Sequence, residues 1–88
     1  MKQTYILTYD ISDPEQYPAL HDAIKAYGTW AHINDSTWAI VTEESAKEIC
    51  EYLTSFIGSD DSIFIILSGG EAAWRNVTCR PQWLRRHL

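Results

Sequence analysis

Two helical segments that each end at a glycine, set among four β-type segments, constrain this chain most. Apolar residues recur at helical spacing from Pro18 to Tyr27 and from Thr42 to Gly58, with Thr42 as the expected N-cap and Gly28 and Gly58 as stops. β-branched and aromatic residues dominate residues 3–10, 29–33, 36–41 and 62–67, which predicts strands. The order β-α-β-β-α-β, in two similar halves, indicates an α+β ferredoxin-like sandwich.

A short C-terminal tail follows this predicted domain. The chain has 88 residues, which is enough for one hydrophobic core. We assign residues 1–70 to the domain and residues 71–88 to the tail. Residues 71–75 are expected to form one helical turn, and Pro81 opens a terminal segment with apolar Trp83 and Leu84. The tail is predicted to pack on the domain or on a sister subunit.

Charge is divided sharply between these two parts. The first 74 residues hold three lysines and all twelve acids, a net charge of −9. The tail holds no acid from its first arginine onward and carries +4 through Arg75, Arg80, Arg85 and Arg86. An acidic body repels phosphate, so only these arginines are candidates for contact with nucleic acid or a partner. Alternatively, the basic tail folds back onto the acidic body or a sister subunit.

Five aspartates are expected to converge at one end of the predicted sheet. Asp10 closes the first strand, and the others lie in the loops that meet there: Asp13, Asp35, Asp60 and Asp61. Carboxylates in close proximity bind Mg²⁺ or Mn²⁺, so a metal site that includes Asp10 and Asp13 is one hypothesis. Ordinary turn chemistry accounts for every one of them except Asp10 without a metal.

Aromatic residues in the predicted strands have two interpretations. Tyr5, Tyr9, Trp30 and Trp38 suit a platform on which RNA bases stack, but core packing also accounts for them. The hairpin between the second and third strands is expected to turn at residues 34–35, both of which tolerate positive φ. This two-residue turn would place His32 opposite Thr37.

The remaining reactive side chains indicate no catalytic pair. His21 is expected to be solvated on the first helix, and Cys50 to be a small buried side chain on the second. Cys79 lies beside Arg80, which could lower the pKa of its thiol, but no partner for catalysis is evident.

The last predicted strand is apolar on both faces, so its second face needs a cover. Ile63, Ile65 and Leu67 alternate with Phe64 and Ile66. A sister sheet or the tail would bury the second face, and we therefore predict a homodimer. Two cysteines and no apolar leader indicate a cytoplasmic protein, and no apolar run is long enough to span a membrane.

Residues 9–13, Tyr-Asp-Ile-Ser-Asp, resemble the opening motif of the CRISPR-associated Cas-two family of small ferredoxin-like dimers. A closer resemblance is to the SinR-like branch of that superfamily. It is carried by residues 28–30, His32, residues 35–38, Thr42, residues 45–46 and residues 70–74. The resemblance implies a homodimer and places Asp10 at the acidic position proposed to hold metal in nuclease members. The segment after the motif, residues 14–27, has Lys25 as its only positive charge, unlike the basic helix of those relatives.

Three functions are compatible with these features. The first is a non-catalytic dimeric module that docks nucleic acid or a nucleoprotein through the tail arginines. The second is a metal-dependent endonuclease in which Asp10 holds Mg²⁺ or Mn²⁺. The third is an acidic inhibitor, of the antitoxin or immunity type, that covers the cleft of a basic enzyme. The sequence favours the first, and hence a protein that is not an enzyme.

Overall fold

A computed structural model describes residues 1–88 as a small α+β domain. The strands are β1 (Gln3–Asp10), β2 (Trp30–Asn34), β3 (Thr37–Thr42) and β4 (Ser62–Leu67), and the helices are α1 (Tyr17–Lys25), α2 (Ala46–Thr54) and α3 (Pro81–His87). All neighbouring strands are antiparallel, in the order β2-β3-β1-β4. The predicted α+β class and the bounds of the first and last strands are confirmed.

The main core lies between one face of this sheet and helices α1 and α2. Alternate residues of β1, namely Tyr5, Leu7 and Tyr9, are buried against it. Leu7 lies opposite Trp38 on β3 and Ile65 on β4, so their side chains share the same face. The helices contribute five buried residues to the cluster: Leu20, Ala23, Ile24, Ile49 and Leu53.

Both helices that cover this face begin and end differently from the prediction. A 3₁₀ turn, Pro14–Gln16, precedes α1. Gly28, which follows the end of α1, has a φ of +90°. The N-cap of α2 is Ser45, so the prediction of Thr42 was wrong. Ser45 accepts from the Glu48 amide at 3.2 Å while Glu48 accepts from the Ser45 amide at 3.0 Å. This reciprocal capping box satisfies two free amides, which a cap at Thr42 would not do.

The hairpin between β2 and β3 also departs from the predicted register. An irregularity between His32 and Asn34 shifts the strands, so His32 lies opposite Trp38 and not opposite Thr37. The turn falls at Asp35 and Ser36, and neither Asn34 nor Asp35 has a positive φ. A bulge of this kind re-aims the side chains of the bulged strand. His32 therefore lies on the same face of the sheet as the core residue Trp38.

The tail of this chain lies on the second face of its own sheet. Thr78 donates its amide hydrogen to the Ile33 carbonyl at 2.9 Å at the β2 edge, and the Thr4 hydroxyl on β1 donates to the His87 carbonyl at 2.6 Å. Helix α3 therefore crosses from β2 to β1. Leu84 in α3 is only 1% exposed, and it lies outside the main core cluster. Ala31 on β2 and Ala39 on β3 pair with each other and are also buried outside that cluster.

Two other expectations concern segments outside the sheet. The helical turn predicted for residues 71–75 is absent, because that stretch has no regular structure. The terminal segment that Pro81 was expected to open is α3, with Pro81 in its first turn, where the fixed φ of proline is tolerated. None of the helices combines the length and the hydrophobicity that crossing a membrane requires.

Candidate functional site

The four tail arginines are exposed and make no ion pair. Arg75 lies in the irregular stretch, Arg80 is the N-cap residue of α3, and Arg85 and Arg86 lie in its last turn. The one salt bridge in the structure joins the N-terminal amine to Glu43 at 3.5 Å. Hydrogen bonds from Thr78 and Thr4 and burial of Leu84 hold the tail in place. The tail therefore folds back onto the domain without using its positive charges.

A cleft of about 300 Å³ opens beside the tail at the outer edge of β2. Trp30, His32 and Ala31 line it from the strand, and Thr78, Cys79, Arg80 and Trp83 line it from the tail. The Thr78 hydroxyl donates to the His32 carbonyl at 2.5 Å and ties the two sides together. Sequence reasoning did not find this cleft, because it depends on where the tail returns to the sheet.

The thiol of Cys79 in this cleft behaves differently from the sequence-based expectation. Burial raises the pKa of Cys79, because a desolvated thiolate is disfavoured. The expectation that Arg80 would lower this pKa was wrong. Proximity in the sequence did not place a positive charge where it would stabilise the thiolate. Cys50, which was expected to be buried, has a partly exposed side chain on α2.

The aromatic residues of the sheet belong mostly to the core. Tyr5, Tyr9 and Trp38 are 6%, 4% and 1% exposed beneath the helices, so they cannot form an open stacking platform. Trp30 is the exception at 36% exposed, and the Lys25 ammonium lies 5.3 Å from the centre of its ring. Of the two interpretations of these aromatics, core packing is correct for three residues and only Trp30 remains accessible.

A network around the Tyr9 hydroxyl joins β1, α1 and the hairpin. The Trp38 indole donates to this hydroxyl at 3.1 Å, and the hydroxyl lies 2.7 Å from His21 Nε2 and 3.3 Å from the Asp35 carbonyl. A neutral His21 with its proton on Nδ1 accepts a hydrogen bond from the Tyr9 hydroxyl at Nε2. Burial and the nearby His32 and Lys25 lower the pKa of His21, which favours this neutral form. The expectation of a solvated His21 was wrong.

Two of the five aspartates in the predicted group, Asp13 and Asp61, bond to local backbone groups. Asp13 accepts from the Glu15 amide at 3.0 Å and caps the 3₁₀ turn. Asp61 accepts from the Ser12 amide and hydroxyl and from the Gly58 amide, and these bonds lower the pKa of Asp61. Asp10 is exposed at the end of β1, opposite Ser62.

No three His, Cys, Asp or Glu side chains in the structure are placed to hold one metal ion. Asp10 and Asp13 alone would supply two carboxylates, one of which already serves as a cap. A site that a second copy of the chain completes through its own Asp10 stays a prediction.

Comparison with protein-family models, with curated proteins and with solved structures found no match to this chain. Its function is therefore inferred from its residues and their arrangement.

Proposed function

We propose that this protein is a ferredoxin-like, Cas-two-related module that binds nucleic acid or a nucleoprotein through its tail without catalysing a reaction. The antiparallel strand order β2-β3-β1-β4, with α1 and α2 on one face, supports the ferredoxin-like part of this proposal. The SinR-like branch of the Cas-two superfamily remains the family that its sequence motifs favour.

The observation that carries the proposed function is that the four tail arginines are exposed and form no ion pair. A protein that used four arginines to hold its tail would pair them with the twelve acids of the chain. Here they face solvent unpaired, on a segment that other contacts anchor. Guanidinium groups bind phosphate oxygens in a bidentate manner, and unpaired ones do so without first breaking an internal bond.

The acidic body restricts where nucleic acid can approach. With a net charge of −9 over the first 74 residues, most of the surface repels a phosphate backbone. Contact is therefore confined to the face that carries α3. A nucleic acid that can contact only one face of the protein binds in a defined orientation and does not cover the whole surface.

The salt dependence of binding tests this function. Replacing each arginine in turn, for example Arg86→Gln, should weaken binding and reduce the slope of log K against log salt by about 0.9 for each duplex phosphate that is no longer neutralised. Lys47→Gln on α2 removes the same charge from the opposite side and should leave the slope unchanged. Fluorescence anisotropy with labelled duplex and single strands measures both quantities.

Equal effects of Arg86→Gln and Lys47→Gln would contradict the proposal. Cleavage of the probe in Mg²⁺ or Mn²⁺ that Asp10→Asn abolishes would support the endonuclease alternative instead. If a variant with all four tail arginines replaced by glutamine binds as well as the original chain, the tail is not the binding surface.

We further propose that the protein is a homodimer that joins through β4. Phe64 and Ile66, on the part of the second face that α3 leaves uncovered, are 58% and 51% exposed. The strand Ser62–Leu67 contains no charged residue and lies at an edge of the sheet, where exposed strands usually carry charges that prevent pairing. A second copy related by a two-fold axis offers the same uncharged strand in antiparallel register.

A further inference from the structure

A small pocket opens between the two helices that cover the main core. Ala23, Ala26 and Tyr27 line it from α1 and the turn that follows, and Glu44 and Tyr52 line it from the α2 side. Its volume of about 230 Å³ lies below the roughly 300–1,000 Å³ of sites for drug-sized ligands. A pocket of this size accommodates the head group of a ligand.

Two tyrosine rings bound the pocket at nearly a right angle. The ring centroids of Tyr27 and Tyr52 are 6.4 Å apart, and the ring planes are 84° apart. The two alanines contribute only methyl groups, which leaves space beside the rings. A cation within about 6 Å of a ring centroid is attracted to the negative face of that ring. The pocket therefore brings two aromatic rings within reach of one bound cation.

The Glu44 carboxylate adds negative charge that no cation in the chain neutralises. The one salt bridge in the structure involves the neighbouring Glu43, and none of the five lining residues is basic. The Tyr27 hydroxyl donates to Glu44 Oε1 at 2.9 Å. Burial and this carboxylate raise the pKa of Tyr27, so the phenol stays neutral and continues to donate. The second carboxylate oxygen has no hydrogen-bond partner within the pocket.

The walls of the pocket are held in place by contacts outside it. The Glu44 amide donates to the Thr42 hydroxyl at 3.2 Å, which fixes the chain just before α2. Phe56, which packs against the main core, contacts the Tyr52 ring with centroids 5.3 Å apart and planes 75° apart. Preorganised walls reduce the entropy that is lost when a ligand binds.

We propose that this pocket binds a quaternary ammonium group, such as the trimethylammonium head of a small organic cation. Aromatic rings attract such groups through the charge carried by their methyl surface. A primary ammonium is strongly hydrated and would lose more on entering. A hard metal ion needs several oxygen ligands, and no three acidic, His or Cys side chains come together here. The inference is independent of the tail arginines and of nucleic-acid binding.

An NMR titration of the full chain with choline tests the proposal. Choline should cause saturable shift changes at the amides of Ala26 and Tyr52. Dimethylbutanol, the neutral compound in which carbon replaces the choline nitrogen, should bind about fivefold more weakly or worse, because it lacks the charge that the rings attract. A peptide that carries trimethyllysine is the second arm. Tighter binding of the peptide would assign the group to a protein side chain, and tighter binding of choline to a small molecule.

Substitutions of exposed pocket residues separate the contributions of ring and charge. Tyr52→Leu should weaken choline binding by about two- to fivefold, since one cation–π contact is lost, and Tyr52→Phe should recover most of the affinity. Glu44→Gln retains an oxygen that accepts from Tyr27 but removes the charge, so it should also weaken binding. Glu71→Gln removes the same charge outside the pocket and should have no effect.

Three results would each overturn the quaternary ammonium site. They are the absence of saturable shift changes with choline and with the peptide, equal binding of choline and dimethylbutanol, and equal effects of Glu44→Gln and Glu71→Gln. The last result would show that choline responds only to the net charge of the molecule.

Discussion

At the residue scale, the Tyr9 hydroxyl connects three parts of the fold. It accepts from Trp38, which is fully buried, and lies within hydrogen-bond distance of His21 on α1. A buried hydroxyl needs such partners, because leaving a polar group unsatisfied costs about 1–3 kcal/mol. Burial correspondingly raises the pKa of Tyr9, so the phenol stays protonated and able to donate.

The lowered pKa of His21 predicts that the protein becomes less stable in mild acid. The unfolded chain takes up a proton on His21 near pH 6.5, whereas the folded state resists protonation. The contribution of His21 to the free energy of unfolding should therefore be fully present above pH 6.5 and be lost as the pH decreases towards the pKa in the folded state. Denaturant unfolding between neutral and mildly acidic pH measures this dependence.

His21→Gln keeps an oxygen that can accept from Tyr9 and removes the titrating group, so it should flatten the pH dependence. An NMR titration of the His21 ring gives its pKa directly. A midpoint at or above 6.5 would show that burial does not disfavour the charged imidazolium at this position.

At the element scale, α3 depends on the sheet for its stability. Seven residues are too few for a helix to persist alone in water, where about 12–15 are needed even for favourable sequences. Leu84 provides the buried contact, and the buried Ala31 and Ala39 on the same face of the sheet are small enough to let the helix approach closely. The short helix is therefore formed by docking and not by its own propensity.

Leu84→Ala should weaken the docking of α3 by about 2–5 kcal/mol, because it leaves a cavity and removes buried apolar surface. Hydrogen exchange at the Thr78 amide, which is bonded to the Ile33 carbonyl, reports on this docking. Gln82→Ala on the exposed side of α3 is the matched control and should change stability by less than about 0.5 kcal/mol. Equal protection of Thr78 in both variants would show that Leu84 does not anchor the tail.

At the scale of the whole molecule, α3 divides the second face of the sheet into a covered and an open part. The covered part lies over β2, β3 and β1, and the open part carries Phe64 and Ile66 on β4. A dimer that stacked two complete sheets face to face would have to displace α3. Pairing through β4 requires no such displacement, which is why the proposed interface lies at that edge.

Phe64→Lys should convert the proposed dimer into a monomer, because the lysine charges of the two copies would be brought together and desolvated at the interface. Its position is 58% exposed, so the single chain should still fold. Light scattering coupled to size exclusion, over a range of concentrations, measures the change. Tyr52→Lys, at an exposed position on α2, should leave the mass unchanged. A monomeric original chain at high concentration would exclude this dimer.

Local patterns in the sequence determined the strands and the approximate helices. The runs at Gln3–Asp10 and Ser62–Leu67 are bounded by polar residues, so their limits were predictable without the fold. The N-cap of α2 was missed although Ser45 and Glu48 have capping-box spacing, and that signal was available in the sequence. The bulge near His32 has no comparably clear local signal, because register also depends on how the paired strand packs.

Composition and spacing by themselves determined the α+β class, the acidic body and the basic tail, because charge and hydrophobic periodicity are properties of consecutive residues. Only the tertiary structure decided that Tyr5, Tyr9 and Trp38 are core, that the arginines remain unpaired, and that the tail docks at the outer edge of β2. Those outcomes depend on contacts between residues far apart in the chain, such as Thr78 with His32, and such contacts form only when the whole sheet and its tail pack together.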